Sequence, residues 1–277
     1  MQKKFVVESQ EQGLTLLSFL RSKWGKGTSV KAIKRAIEAK LCTVNGRVET
    51  FSTHRLKAYD KVIIEPLEKR PSSRPTVLWE DRYLLILDKP AGFVCDPKNV
   101  DGYLVHRLDK ETTGVLVVAK AKPVLEQMIE LFRSEQVQKT YLAIVDGRVT
   151  KKKGRIVSYL AAKHRMQGQT VYGSSATGKR AETLWIKEKE GKRATLLQCY
   201  PRTGRTHQLR VHLQEAGHPI VGDYQYGAHF QCGYRARRHL LHALEISFPH
   251  PVTRHTVTVS SPIPDDFFQA IEALHLL

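Results

Sequence analysis

The 277-residue chain reads as an α+β protein built from two unequal units. Three observations predict this. Short apolar runs with strand character recur from Val62-Ile63-Ile64 to the segment Leu240 to Phe248, and only a few stretches have a helical period. Leu67 to Pro75 (Leu-Glu-Lys-Arg-Pro-Ser-Ser-Arg-Pro) has the Pro, Ser and basic composition of a linker, which divides a unit at 1–66 from one at 76–277. A hydrophobic fraction of 41% is that of a chain with folded cores.

Charge narrows the partners. The formal net charge is +18, from 45 Lys and Arg against 27 Asp and Glu. Such a chain attracts polyanions, nucleic acid first, because neutralising phosphates releases counterions. No basic helix carries a broad Trp/Phe/Leu face, so an anionic membrane surface fits less well. No apolar run approaches a membrane span. The start, Met1-Gln2-Lys3-Lys4, leads into a mixed strand with no apolar signal-like region. Cys42, Cys95, Cys199 and Cys232 form no Cys-x-x-Cys pair, which argues against a disulfide framework or a zinc ribbon. A cytoplasmic protein is expected.

In the first unit, Leu14 to Leu20 opens a short helix that Gly25 and Gly27 end. The next helix runs from Ser29 to about Lys40. Val30, Ile33, Ile37 and Leu41 lie on one side of it, and Lys31, Lys34, Arg35 and Glu38 on another. Cys42-Thr43-Val44 and Arg47-Val48-Glu49 flank Asn45-Gly46, a strong hairpin signal. Val62-Ile63-Ile64 closes the unit as a buried strand. Residues 1–66 carry thirteen Lys or Arg against six Asp or Glu, so the basic stripe faces solvent or phosphate.

The second unit opens with Val77 to Asp81 and a strand, Tyr83 to Leu87, stopped by Pro90 and Gly92. Then comes Val105-His106-Arg107-Leu108-Asp109-Lys110-Glu111-Thr112-Thr113-Gly114, a turn running into Val115-Leu116-Val117-Val118-Ala119. Five consecutive apolar or small residues leave no polar face, so this strand is buried and Asp109 sits on a loop held against it. Pro123 to Arg133 is a helix with Leu125, Met128, Ile129 and Phe132 on one face. Lys139 to Gly147 is a strand and turn, and further β segments fall at Arg155–Tyr159, Ala181–Lys187 and Thr195–Tyr200. A turn at Thr203-Gly204 opens a helix carrying His207 and Arg210, ended near Gly217-His218-Pro219. Leu240 to Phe248 is a strand, and Asp265 to Leu274 an amphipathic helix.

Two patterns fail as sites. Gly173 to Lys179 matches most of a phosphate-binding loop, but Arg180 replaces the Mg²⁺-holding hydroxyl and the following residues continue as a strand. His207 and His212 are five positions apart, which puts them on different helix faces, and no metal site is expected.

Three ordered stretches remain. His106-Arg107-Leu108-Asp109 with its Thr-Thr-Gly turn, Lys139-Thr140-Tyr141, and Thr203-Gly204-Arg205-Thr206-His207-Gln208-Leu209-Arg210 resemble the motifs of the RluA/RluD-type pseudouridine synthases, and Leu241-His242-Ala243 fits as well. The first unit resembles the alpha-L RNA-binding module of a small-subunit ribosomal protein. The chain departs from the family at Thr113, where Ser is usual, and in a short Gly92 to His106 segment, where many relatives carry an insert on the RNA-facing rim.

The resemblance implies a mixed, mainly antiparallel sheet with flanking helices and a central catalytic cleft. It implies isomerisation of uridine in RNA, with ribosomal RNA of the large subunit first and transfer RNA second as substrate, no cofactor or metal, and a monomer. Asp109 would be the nucleophile, Arg210 its ion-pair partner, and Tyr141 a stacking residue and a candidate for proton transfer. The target base must leave its stack, with Arg107 filling the space it vacates. His106, Arg205 and His207 would contact RNA in the cleft, and Lys31, Lys34, Arg35 and Arg47 its backbone outside it. A non-catalytic RNA-binding protein would have lost Asp109, Tyr141 or Arg210, and all three are present. A methyltransferase would need a Gly-rich cofactor turn, which the sequence lacks.

Overall fold

The structure, a computed structural model, describes residues 2–24, 29–38, 41–65, 74–166, 169–227 and 230–277. The chain divides into two compact units, Met1–Pro71 and Ser72–Leu277.

The smaller unit holds β1 (Lys3–Val6), α1 (Leu16–Trp24), α2 (Val30–Glu38), β2 (Cys42–Val44), β3 (Arg47–Val48) and β4 (Lys61–Ile64), with a four-stranded sheet in the order β1-β4-β2-β3. Asn45 and Gly46 both have positive φ, 50° and 80°, as a two-residue hairpin twisted with its strands requires. Leu16, Phe19 and Leu20 of α1 and Ile33, Ala36 and Ile37 of α2 close over Cys42, Val44, Val62 and Ile64. The buried stripe of α2 differs from the expected one. Val30 is 40% exposed, because it opens the helix ahead of its first packed turn. Gly25, Gly27 and the expected helix end near Lys40 lie outside the described residues, as does most of the expected linker.

The larger unit begins with β5 (Thr76–Glu80), β6 (Leu84–Lys89), β7 (Tyr103–Leu104), β8 (Thr113–Ala119), α3 (Lys122–Arg133) and β9 (Gln138–Asp146). It continues with β10 (Lys153–Met166), β11 (Gln169–Ser174), β12 (Lys179–Glu190), β13 (Ala194–Pro201), α4 (Gln208–Glu215), β14 (Leu241–Pro249), β15 (Thr256–Ser260) and α5 (Asp265–Ala273). An eleven-stranded sheet runs β11-β10-β12-β13-β9-β14-β8-β6-β5, with β15 beside β14 and β7 beside β8. Among the described residues β14 and β8 pair in parallel, through His242–Thr113 and Ala243–Gly114, and every other pairing is antiparallel. The α+β class and the mixed sheet are therefore as expected.

Two packed layers explain the long apolar runs. On one face of β8, Val115 and Val117 meet Ile86, Met128, Leu131 and Phe248; on the other, Leu116 and Val118 meet Leu87. A strand covered on both faces has no polar alternation. A second core joins Leu142, Ile144 and Leu197 to Leu209 and Leu213 of α4 and to Phe267 and Ile271 of α5. The buried face of α3 is rotated slightly from the expected one, with Met128 in the core and Leu125 and Phe132 packed against it. Val124, Met128 and Leu131 form its buried row, while Ile129 is 49% exposed and Phe132 half-buried. β10 and β12 extend well beyond the expected segments, because their distal residues are solvated and charged and carry no hydrophobic signal.

Candidate active site

A cleft of about 730 Å³ opens where the loop preceding β8, β9 and the start of α4 converge, lined by Arg107, Asp109, Tyr141, Arg205, His207 and Arg210 among others. Residues more than a hundred positions apart in the chain meet there.

The Asp109 loop is pinned from several sides. Thr112 donates its backbone N–H to the Asp109 carbonyl at 3.0 Å, closing the turn. Thr112 Oγ1 lies 2.8 Å from His239 Nε2, and Thr113 Oγ1 lies 3.0 Å from His242 Nδ1. The hydroxyl at position 113 is thus in use, as threonine here. His242 Nε2 faces the Ser261 carbonyl and so carries the proton, which makes Thr113 the donor to Nδ1. Burial pushes His242 down to about 4. Gly114 has φ of +110° and lies so close to β14 that a Cβ would collide with the Ala243 carbonyl.

Two buried cations hold the same loop. Lys89 is fully buried and donates to the carbonyls of Pro90 (2.9 Å), Phe93 (3.1 Å) and Lys110 (3.0 Å). Burial lowers its ammonium to about 8. Arg238 donates to the Glu111 carbonyl at 3.2 Å and forms a two-pronged pair with Asp266 of α5 at 2.7 and 2.8 Å. Neither residue was singled out in the sequence.

Arg210 is the hub of the cleft floor. It lies 3.0 Å from Asp109 Oδ2 through Nη1, holds Asp223 through Nε (2.6 Å) and Nη2 (2.9 Å), and donates to Gln225 at 2.8 Å. Burial works against its charge, but Asp223 and then Asp109 outweigh it, so the net shift is upward and the guanidinium stays charged. The Asp109–Arg210 pair is the one expected. Asp223, Gln225 and Tyr226 were missed. Asp223 is the first acidic residue after Glu215, and a buried arginine needs more than one acceptor, so a signal existed.

Tyr141 lines the cleft from β9, its phenol pushed upward by burial and then by the Asp109 charge. Arg107 is exposed at the rim. Arg205 is also exposed and donates through Nε to the Arg180 carbonyl at 2.9 Å. His106 is not a free contact. Its Nε2 accepts from the Val117 N–H at 3.1 Å, its ring stacks on Phe132 with centroids 5.3 Å apart, and burial drives it to about 3. His207 was expected within the helix. It is instead the residue preceding α4, in the left-handed region with φ of 56°. Lys34 and Arg47 are exposed on the smaller unit; the side chains of Lys31 and Arg35 lie outside the described residues.

Among the described residues no three His, Cys, Asp or Glu side chains converge as a metal site would require, and no helix is long and apolar enough to cross a membrane. The Gly173 to Lys179 stretch joins two strands, β11 and β12, rather than a strand and a helix.

A conserved-sequence profile described as RNA pseudouridylate synthase matches residues 83–215, which contain all three motif stretches. The chain is 31% identical to ribosomal large subunit pseudouridine synthase C of Escherichia coli O157:H7, over 97% of this chain and 95% of that protein. It is 32% identical to the protein of the same name from Pasteurella multocida, over 98% and 94%. Among solved structures, human RNA pseudouridylate synthase domain containing 4 superposes with a TM-score of 0.60 at 26% identity, covering 73% of this chain and 93% of that one. Human RNA pseudouridylate synthase domain containing 1 gives 0.60 at 25%, covering 74% and 97%. The chain belongs to the RNA pseudouridylate synthase family, whose members are isomerases acting on RNA.

Proposed function

We propose that this protein isomerises uridines of large-subunit ribosomal RNA to pseudouridine, with Asp109 as nucleophile. The observation that carries the assignment is the Asp109–Arg210 pair, 3.0 Å apart at the floor of a cleft wide enough for a flipped nucleotide. The relatives named for the ribosomal large subunit favour that RNA over transfer RNA.

The target uridine leaves its stack and enters the cleft, with Arg107 at the rim taking the vacated space. Asp109 attacks the bound nucleotide and the glycosidic bond between C1′ and N1 breaks. The uracil turns, C1′ bonds to C5, the carboxylate is released, and the proton lost from C5 is matched by one gained from solvent at N1. Arg210 steadies the carboxylate while Asp223 keeps the guanidinium in place. Tyr141 forms the wall on which the uracil stacks. Its phenol is shifted upward by burial and the Asp109 charge, so it keeps its proton at rest.

The smaller unit, residues 1–66 and joined by the linker 67–75 to the catalytic domain at 76–277, is an alpha-L-like RNA-binding module in this reading. Helix, Asn-Gly hairpin and returning strand come in the required order, and Arg47 and Lys34 lie on the surface of the unit. Four free cysteines suit a reducing cytoplasm, where the enzyme acts as a monomer.

The test is carbodiimide mapping of pseudouridine in total RNA from strains with and without the gene, rescued by wild type or by Asp109→Asn. A stop in large-subunit RNA should vanish in the null strain and return only with wild type, while Asp109→Asn binds RNA within about threefold of wild type. Rescue by Asp109→Asn would remove the nucleophile role, and a changed stop in transfer RNA alone would remove the substrate.

A further inference from the structure

His207 stands beside the nucleophile in a setting that specifies which ring nitrogen carries the proton. Its Nδ1 lies 2.7 Å from the Tyr226 hydroxyl. That hydroxyl accepts the Tyr172 backbone N–H at 3.0 Å, and among the described residues the acceptor open to its own proton is His207 Nδ1. Burial pushes the Tyr226 phenol up to about 12, so it keeps that proton to donate. An imidazole that accepts at Nδ1 while neutral carries its hydrogen on Nε2. The opposite edge agrees. His207 Nε2 lies 3.8 Å from Asp109 Oδ1, and an ionised carboxylate offers only acceptors.

The ring is also held against rotation. Tyr172 and Tyr226 both meet it edge to face, with centroids at 5.5 and 5.6 Å, and the Arg210 guanidinium covers Tyr226 at 4.9 Å. The left-handed backbone at His207 sets the side chain at this angle, and the first turn of α4 holds the backbone: Val211 donates its N–H to the His207 carbonyl at 2.9 Å. Burial lowers the affinity of the ring for a second proton, with Asp109 opposing and Arg210 assisting that effect.

We propose that His207 is a positioning residue for Asp109, a neutral donor whose Nε2–H is aimed at Oδ1 by a relay running from the Tyr172 amide through the Tyr226 hydroxyl to Nδ1. Arg210 holds the other carboxylate oxygen, Oδ2. The two oxygens are therefore unlike: Oδ2 is tied to a cation at 3.0 Å and Oδ1 faces a neutral donor at 3.8 Å. Oδ1, the less tightly held, is the oxygen presented to the nucleotide, and His207 fixes the rotation of the carboxylate that presents it. The sequence reading made His207 an RNA contact; the relay points it inward. This inference rests on the nucleophile role proposed above for Asp109.

The test joins nitrogen NMR of the full-length protein, labelled with ¹⁵N-histidine, to kinetics on an RNA fragment. At neutral pH the His207 signals should be those of the Nε2–H tautomer, and Tyr226→Phe should move them toward a mixture. His207→Asn, a residue that accepts the left-handed backbone, should lower kcat by about 10- to 100-fold with KM changed less than about threefold. Tyr226→Phe should lower kcat by a smaller factor, about 3- to 10-fold, since only the relay is cut. An Nδ1–H tautomer or an imidazolium at neutral pH would overturn the proposal, as would His207→Asn with raised KM and unchanged kcat. The NMR result is independent of turnover, so a wild-type protein that makes no pseudouridine would remove the catalytic reading and leave the relay standing.

Discussion

In the smaller unit Lys34 and Arg47 stand at the surface, whereas in the larger unit Lys89, Arg210 and Arg238 are buried with oxygens around each. Cations of one sign thus serve two ends in one basic chain. Exposed charge keeps its hydration and attracts a polyanion at little cost to folding. Buried charge has lost its water and persists only where carboxylates or carbonyls replace it, which makes it rigid and lets it aim a neighbour. The net charge of +18 announces the first use and conceals the second.

Acid should separate the two units most strongly. Burial lowers His106 to about 3 and His212 and His242 to about 4, and all three belong to the larger unit. The folded state refuses protons that the unfolded chain accepts near pH 6.5, so their neutral forms cost nothing above that pH. Stability is then lost as pH falls from 6.5 toward 4, on the order of 3 kcal/mol per histidine by pH 4. Urea titrations read with a probe in each unit should show the larger one weakening first. Equal stability of that unit at pH 7 and pH 4.5 would break the contrast.

Next in size is Arg210→Met. It leaves Asp223 buried without its partner and Asp109 without its cation, and should destabilise the larger unit by about 3–5 kcal/mol while abolishing turnover. A midpoint of urea unfolding within error of wild type would show that the buried pair is not structural.

The smallest effect belongs to the exposed cations. Lys34→Ala and Arg47→Ala should each weaken RNA binding evenly across sequences and reduce the slope of log affinity against log salt by about 1, with kcat unchanged. A slope that does not move would mean that these side chains are solvated and touch no phosphate.

Much of this was readable beforehand. The Asn45-Gly46 hairpin and the buried β8 run depend on patterns local in sequence, whereas the Asp109–Arg210 pair, 101 positions apart, follows from the family resemblance. Failures came where a residue's role depends on distant neighbours. Helical spacing puts Ile129 on the packed face of α3, but it is 49% exposed, while Phe132 packs at the edge of the core and also lines the cleft beside His106. His207 was assigned to the helix that follows it, but its backbone turns left-handed to meet Tyr226. Lys89 was passed over, because a lysine in an apolar strand gives no sign that three carbonyls wait for it.

Element types and the basic first unit follow from local period, turn residues and composition, and the family resemblance is what points to the motifs of the site. How the residues of those motifs are held depends on contacts between distant parts of the chain: Asp223 behind Arg210, Arg238 between α5 and the Asp109 loop, and Tyr226 behind His207. A hydrogen-bond partner is chosen by position in space, and the partners here lie from 13 to 127 positions apart along the chain.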